Sequence, residues 1–322
     1  MGKEARNMRR LLAKHKTEMV YAGRARESVN ELRLVPISHA RQTVEAAHIV
    51  VSPPTNVYMH RDVFGNEVAW FQLDVAHERL IVESRALVTV AASGLTDDAI
   101  PRMALDDPRL IDQFAEFLLP SSIVSWGDVV DGFARRAQLG AVDDVEAWLR
   151  RVEQAVNDGI VYRQGVTDVD TSVEHVVRAG HGVCQDMAHL FIALCRRNGV
   201  PARYISGWMH QSGRDEPSES HAWCEAWVPG VGWVEFDPTH PAPDLSHYIR
   251  VAVGRDYADV PPFRGTYVGD PTERMIVTVE IEERPPDQTE LAELAALDAR
   301  RRAPGDGRPD GLQRIGRSVS GG

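Results

Sequence analysis

Apolar and polar positions alternate in short runs over the first quarter of the chain. Glu67-Val68-Ala69-Trp70-Phe71-Gln72-Leu73 and the stretch from Leu80 to Val90 are strand-length and rich in β-branched and aromatic residues. Phe64-Gly65-Asn66 supplies a turn between two such runs, and Pro53-Pro54 interrupts another. Residues 17–93 therefore read as a small antiparallel sheet or sandwich, preceded by a mobile basic leader over 1–16. The period changes after Ser93-Gly94. Asp107-Pro108 places an N-cap and a first-turn proline before a helix that reaches about Leu119. Trp126 to Ala137 and Asp143 to Asn157 read as further helices, the second stopped by Gly159. Thr171 and Glu174 have capping-box spacing. From Cys184 to Arg197, Met187, Leu190, Phe191, Leu194 and Cys195 recur at three- and four-residue steps, and Gly199 and Pro201 end the run. Strands are predicted at 202–209, 221–228, 233–237, 247–253 and 274–282. Beyond Pro285-Pro286, one short helix at 288–302 aside, Gly, Arg, Pro and Asp dominate, and 286–322 reads as a disordered tail. The fold class is α+β. A β domain (17–93) is followed by a helical connecting region packed on the core (94–159) and by a core (160–283) whose main helix lies on an antiparallel sheet.

Composition narrows the functions on offer. With 322 residues, 43% of them hydrophobic and 26% charged, the chain suits about two globular domains and is neither collagen-like nor wholly disordered. It has no apolar run of about 18 residues, so no membrane span is expected. A net charge of −11 argues against nucleic acid and anionic lipid as partners. Three cysteines do not make a disulfide framework, and the basic N-terminus has neither an apolar segment nor a cleavage site, so a reducing cytoplasm is the expected location. The sequence has no Gly-rich phosphate loop and no calcium loop, so no cofactor is expected. His181, Cys184 and His189 bracket one another at a spacing that matches no strong metal pattern, so no metal is expected either.

Three segments carry chemistry: Gly182-Val183-Cys184-Gln185-Asp186, Ser220-His221-Ala222-Trp223 and Phe236-Asp237-Pro238-Thr239. They supply a thiol, an imidazole and a carboxylate. A thiol becomes a competent nucleophile as the thiolate, and a helix N-terminus and a neighbouring imidazolium both favour that form. The imidazole in turn needs a third group to hold its tautomer, a role open to Asp237. Strand register decides whether His221 and Asp237 can meet. A plain four-residue loop would pair Val228 with Trp233 and set Asp237 opposite Cys224, on the wrong face. A glycine bulge at Gly230 or Gly232 pairs Val228 with Gly232 and puts Asp237 opposite Trp223, diagonal to His221 on one face. The triad therefore predicts a bulge. The backbone N–H of Cys184 is one oxyanion donor by its place at a helix start; Tyr162 and Gln185 are candidates for a second. Asp186 suits the helix dipole and a pairing with Arg203. Trp223 and Trp227 share a face with His221, and Trp223 is equally consistent with core packing and with shielding the His–Asp bond. Cys195 and Cys224 read as structural.

The runs GHGVCQDMAHLFIALCRRNGVPARYISGW, SHAWCEAWVPGVGWVEFDPTH and HYIRVAVGRDYADVPPFRG closely resemble the bacterial transglutaminase-like proteins, a branch of the papain-like thiol fold, over about 160–283. The LRLVP and DVFGNEV runs resemble the β domain that often precedes that core. The resemblance implies Cys184 as nucleophile, His221 as base and Asp237 as orienting carboxylate; Arg255, Asp256 and Tyr257 match a run that either borders the cleft or forms a structural loop salt bridge. It implies a thioester formed from an amide carbonyl of a peptide or protein substrate. Three outcomes stay open at this point: hydrolysis of a peptide or isopeptide bond, transfer of the acyl group to an amine, or a non-catalytic binding module on the same fold.

Overall fold

The computed structural model describes residues 8–91, 100–210, 218–270, 272–283 and 292. The expected helix at 288–302 and tail at 286–322 lie outside the described residues, Ala292 excepted. The longest element is β1 (Met8–Val35), 28 residues in which every second side chain from Leu11 to Tyr21 is buried. This corrects the expected mobile leader, because residues 8–16 are strand. Leu11, Ala13 and His15 face the core, while Arg10, Lys14 and Lys16 take the outward positions, so basic residues mask a period-two pattern.

Antiparallel strands β2 (Gln42–Ser52), β3 (Tyr58–Arg61), β4 (Glu67–Leu73) and β5 (His77–Ala91) follow. β2 stops at the residue before Pro53-Pro54. The β3–β4 hairpin turns where expected, with Asp62 Oδ1 accepting from the backbone N–H groups of Phe64 and Asn66 at 3.0 Å each and Gly65 at φ +83°.

Among the described residues, four α-helices precede Cys184. α1 (Pro108–Gln113) is capped by Asp107 as expected but ends early. Phe114 and Phe117 then turn into an aromatic cluster with Trp227 and Trp233. α2 is Asp128–Arg136 and α3 is Val145–Gly159, the latter capped by Asp144. β6 (Val161–Tyr162) leads to α4 (Val173–Ala179), and β7 (His181–Gly182) pairs with β6 in parallel. Ser172, rather than Thr171, caps α4; the Thr171 hydroxyl instead accepts from the N–H of Asp168 at 2.9 Å.

α5 (Cys184–Arg197) runs through the centre of the core and is buried from Gln185 to Arg196. A helix buried on all sides needs apolar residues all round, and its one buried cation must be satisfied. The Arg196 guanidinium donates to the carbonyls of Ala202, Leu119 and Arg255 at 2.7–3.1 Å. Leu190, Phe191 and Leu194 pack among Trp148, Leu149 and Val152 of α3 and Phe236 of the sheet. Truncating Phe191 there would cost about 3–5 kcal/mol. That sheet is antiparallel, in the order β10 (Gly232–Phe236), β9 (Glu219–Val228), β8 (Ala202–Met209), β11 (Tyr248–Gly254).

β12 (Phe263–Val268) and β13 (Glu273–Glu282) return to the first sheet. β13 pairs with the front half of β1 and β12 with its back half. The two halves of the chain are therefore laced together. Trp208, Ile249 and Val251 from the core sheet join the β-domain cluster of Leu11, Ala13, Val82 and Ile281. Two buried amides complete the backbone of β11. Gln42 exchanges hydrogen bonds with Arg250 N–H and C=O at 2.9 and 2.8 Å. Asn66 does the same with Val253 at 2.8 Å. None of the described helices is long and apolar enough to cross a membrane.

Candidate active site

Cys184 is the first residue of α5, half-buried, where helix geometry leaves N–H groups without intrahelical partners. Asp186 fixes this helix start. Its Oδ2 accepts from the Val183 N–H at 2.8 Å and from Thr167 Oγ1 at 2.7 Å. Burial pushes its carboxyl up from the ordinary value, and those two hydrogen bonds oppose the rise. A Cβ at residue 182 would lie 2.8 Å from the Asp186 side chain, so glycine is required there. The expected Asp186–Arg203 pair does not form; Arg203 instead pairs with Glu225 at 2.6 Å, the residue directly opposite it on β9.

The sheet carries the predicted register. Gly232 pairs with Val228, Trp233 with Trp227 and Phe236 with Cys224, with Gly230 and Gly232 both at positive φ. Asp237, the next residue, thereby reaches His221. Its Oδ2 accepts from His221 Nε2 at 2.7 Å, Tyr248 Oη at 2.7 Å and His240 Nδ1 at 3.1 Å. Its Oδ1 accepts from the Thr239 N–H at 2.9 Å. α3 holds the loop from behind: the Asp237 N–H donates to Glu153 Oε1 at 2.8 Å, and Asn157 Nδ2 donates to the carbonyls of Pro238 and Thr239 at 2.9 and 3.2 Å.

These contacts set the charges. Burial would raise the Asp237 carboxyl, but His221 and His240 hold it well below the usual carboxylate range. Burial would likewise lower His221, and the charge and hydrogen bond of Asp237, with the adjoining Cys184 thiol, instead raise it to about 10. Nε2 is committed to Asp237, so Nδ1 is the ring nitrogen available to the thiol. Trp223 is fully buried, stacks on His221 with ring centroids 6.0 Å apart and meets Tyr248 edge-on at 5.3 Å. It thus packs the core and covers the His–Asp pair at once. Gly207 makes room for it, since a Cβ there would come within 2.4 Å of the indole. Cys184 and His221 open onto a cavity of about 300 Å³.

Residues 12–89 match the bacterial transglutaminase-like N-terminal region, and residues 132–238 match the core of the transglutaminase-like superfamily. An uncharacterized protein of Mycobacterium leprae is 34% identical over 284 residues, which span 85% of this chain and 99% of that protein. The chain belongs to the bacterial transglutaminase-like family. An uncharacterized protein of Mycobacterium tuberculosis is 31% identical over 288 residues, 83% of this chain and 90% of the relative. The solved structure of a Cytophaga hutchinsonii protein, proposed to be a cysteine protease, aligns with a TM-score of 0.69 at 23% identity, covering 88% of this chain and 93% of that one. At that identity the likeness establishes the shared fold.

Within this transglutaminase-like frame the other sequence-derived residues separate. Gln185 lines the cavity, with its Nε2 donating to the Val169 carbonyl at 2.9 Å. Tyr257 also lines it, and its backbone N–H donates to His189 Nε2 at 3.2 Å. Burial lowers His189 to about 4, which keeps that ring neutral. Asp256 is buried and caps the turn at the Ala258 N–H at 2.9 Å. Arg255 is exposed and forks onto Asp259 at 2.9 Å. Tyr162 lies on β6 beside Gly182, 43% exposed and away from the cavity lining. Cys195 is buried in the core, and buried Cys224 donates from Sγ to the Phe236 carbonyl at 3.2 Å.

Among the described residues, metal-ligating atoms converge at His221, Asp237 and His240, all within 4.8 Å of one another. The Asp237 oxygen at their centre already accepts three hydrogen bonds. Four supporting residues escaped the sequence reading: Glu153, Asn157, His240 and Tyr248. Glu153 did leave a signal, a carboxylate set within the apolar stripe of Leu149, Val152 and Val156. A charge in such a stripe must find a buried partner.

Proposed function

We propose that this transglutaminase-like protein is a thiol enzyme that captures an amide carbonyl as a Cys184 thioester and hydrolyses a peptide or isopeptide bond. The observation that carries this reading is His221, locked through Nε2 to a carboxylate with two further side-chain donors while its ring adjoins the thiol at the start of α5. Proton transfer from Cys184 Sγ to His221 Nδ1 yields a thiolate–imidazolium pair, which Asp237 stabilises without taking the proton. The thiolate attacks the amide carbon. The Cys184 backbone N–H meets the developing oxyanion. His221 then protonates the departing amine, and the C–N bond breaks to leave the thioester. Water, deprotonated by His221, attacks that carbon, and the C–S bond breaks to release the acid and the thiol.

Acyl transfer to an amine is the second reading. A stretch of 68 residues is 34% identical to a Pseudomonas aeruginosa protein-glutamine gamma-glutamyltransferase, covering 18% of this chain and 10% of that protein. The two readings diverge only at the thioester. Acyl-peptide nitrophenyl esters, offered with and without a primary amine, separate them by product mass. Free acid in both cases, with an acyl adduct on Cys184 and none in Cys184→Ala, is the expected result. An amide product would favour transfer. A wild-type protein that neither acylates nor turns over would contradict both and favour the binding module.

A further inference from the structure

The cavity beside Cys184 is built by both halves of the chain. Cys184, Gln185, Tyr204 and His221 form one wall. His15 and Thr17 of β1 and Met275 and Val277 of β13 form the other. At about 300 Å³ it stands at the small end of ligand cavities, with room for a side chain rather than a folded partner. It is continuous with the nucleophile, since Cys184 itself lines it.

Its lining contains no Asp, Glu, Lys or Arg among the described residues. Of its two imidazoles, His221 is committed to Asp237. The other, His15, is 1% exposed and stacks on Trp208 with ring centroids 5.5 Å apart. Its Nε2 lies 3.5 Å from Ser220 Oγ, and its Nδ1 has no partner outside its own residue. Burial lowers it to about 4, so it is neutral at pH 7. A charged substituent entering here would exchange its water for a lining in which the only charged side chain, His221, is already paired with Asp237. An apolar one would lie against Met275 and Val277, which are 56% and 43% exposed in the free protein.

We propose that this cavity is the acyl-side subsite: it receives an uncharged, mainly apolar side chain on the acyl group that Cys184 captures, and β-domain residues His15, Thr17, Met275 and Val277 set that selectivity. The proposal rests on the thiol-enzyme reading above. The acyl side is assigned because the acyl carbon becomes bonded to Sγ inside the cavity, whereas the amine departs. The β domain is thereby part of the substrate site.

The test uses the full chain and peptidyl vinyl sulfones that differ only in the residue bearing the electrophile: Leu, Phe, Glu or Lys. Labelling rates at Cys184 are divided by the iodoacetamide rate of the same protein. Leu and Phe probes are expected to exceed Glu and Lys probes by about tenfold or more. Val277→Glu, at a position open enough to accept the change, is expected to shift the Lys-to-Leu ratio upward by about tenfold. Equal rates across the four probes, or a ratio unmoved in Val277→Glu, would overturn the subsite. Uniformly slow labelling of Cys184 by every reagent, with the Leu preference retained, would instead overturn the thiol-enzyme reading while keeping the selectivity of the cavity.

Discussion

Two carboxylates are buried on or beside one sheet and have different roles. Glu225, mid-way along β9, accepts from Arg203 at 2.6 Å and Arg250 at 2.8 Å. Burial alone would raise it, and the two guanidinium groups pull it down to about 2. Arg41 of the β domain pairs with nearby Glu235. Guanidinium groups keep their protons throughout the working pH range, so this cluster is a fixed clamp that ties β8, β9 and β11 together where the two halves of the chain meet. Asp237, just past the end of β10, is as deeply buried, yet its partners are His221, His240 and Tyr248. One of those, His221, adjoins the Cys184 thiol and lines a cavity with it. Burial and a displaced pKa are common to both clusters. A titratable partner that opens onto space for a ligand belongs only to the second.

The comparison breaks most sharply at the partners of the two acids. His221→Ala is expected to slow iodoacetamide alkylation of Cys184 at pH 7 by about thirtyfold, the deficit of thiolate in an ordinary thiol at that pH, with the circular dichroism spectrum retained. Glu225→Ala leaves two buried guanidinium groups facing no acceptor. It is expected to cost about 3–5 kcal/mol in denaturant unfolding while leaving the alkylation rate of the folded protein unchanged.

The pH dependence sharpens the contrast. Glu225 titrates at about 2 in the folded chain against an ordinary 4.5, so its stabilisation is complete above about pH 4.5 and is lost as pH falls toward 2. That loss is about 3 kcal/mol by linkage, and Glu225→Gln should flatten it in urea midpoints measured across the range. His221 titrates at about 10 against an ordinary 6.5, so its contribution is full below about pH 6.5 and is lost as pH rises through 10. His221→Ala should flatten that alkaline limb and leave the acid limb of Glu225 in place. The smallest effect is expected from Tyr248→Phe, which removes one of three donors to Asp237 Oδ2. Alkylation should fall by about fivefold to tenfold, the worth of one charge-assisted hydrogen bond.

The residues that meet at the cavity were legible because each carries a local signal. A cysteine opens a periodic helix, a histidine opens a strand and an aspartate closes one, and two glycines set the register that joins them. Arg203 was assigned to Asp186 by a helix-dipole argument, yet the cross-strand register already places it opposite Glu225. Residues 8–16 were misread because lysine and arginine fill the outward positions of an otherwise regular strand. Asn157, His240 and Tyr248 were out of reach for a different reason. Their meeting with the Asp237 loop depends on how α3 and β11 approach it, which no local period encodes. The shared cavity depends likewise on β13 returning to pair with β1 across the whole chain.

The central proposal is that His221, held by Asp237, takes the proton of Cys184. The direct measurement is the iodoacetamide alkylation rate of Cys184, read by peptide mass spectrometry, from pH 5 to 10 in wild type and His221→Ala. Wild type is predicted to react at pH 6 within about threefold of its rate at pH 9, whereas His221→Ala rises on the order of a hundredfold over that interval, as an ordinary thiol does. A wild-type profile that climbs steeply in parallel with His221→Ala would contradict the account.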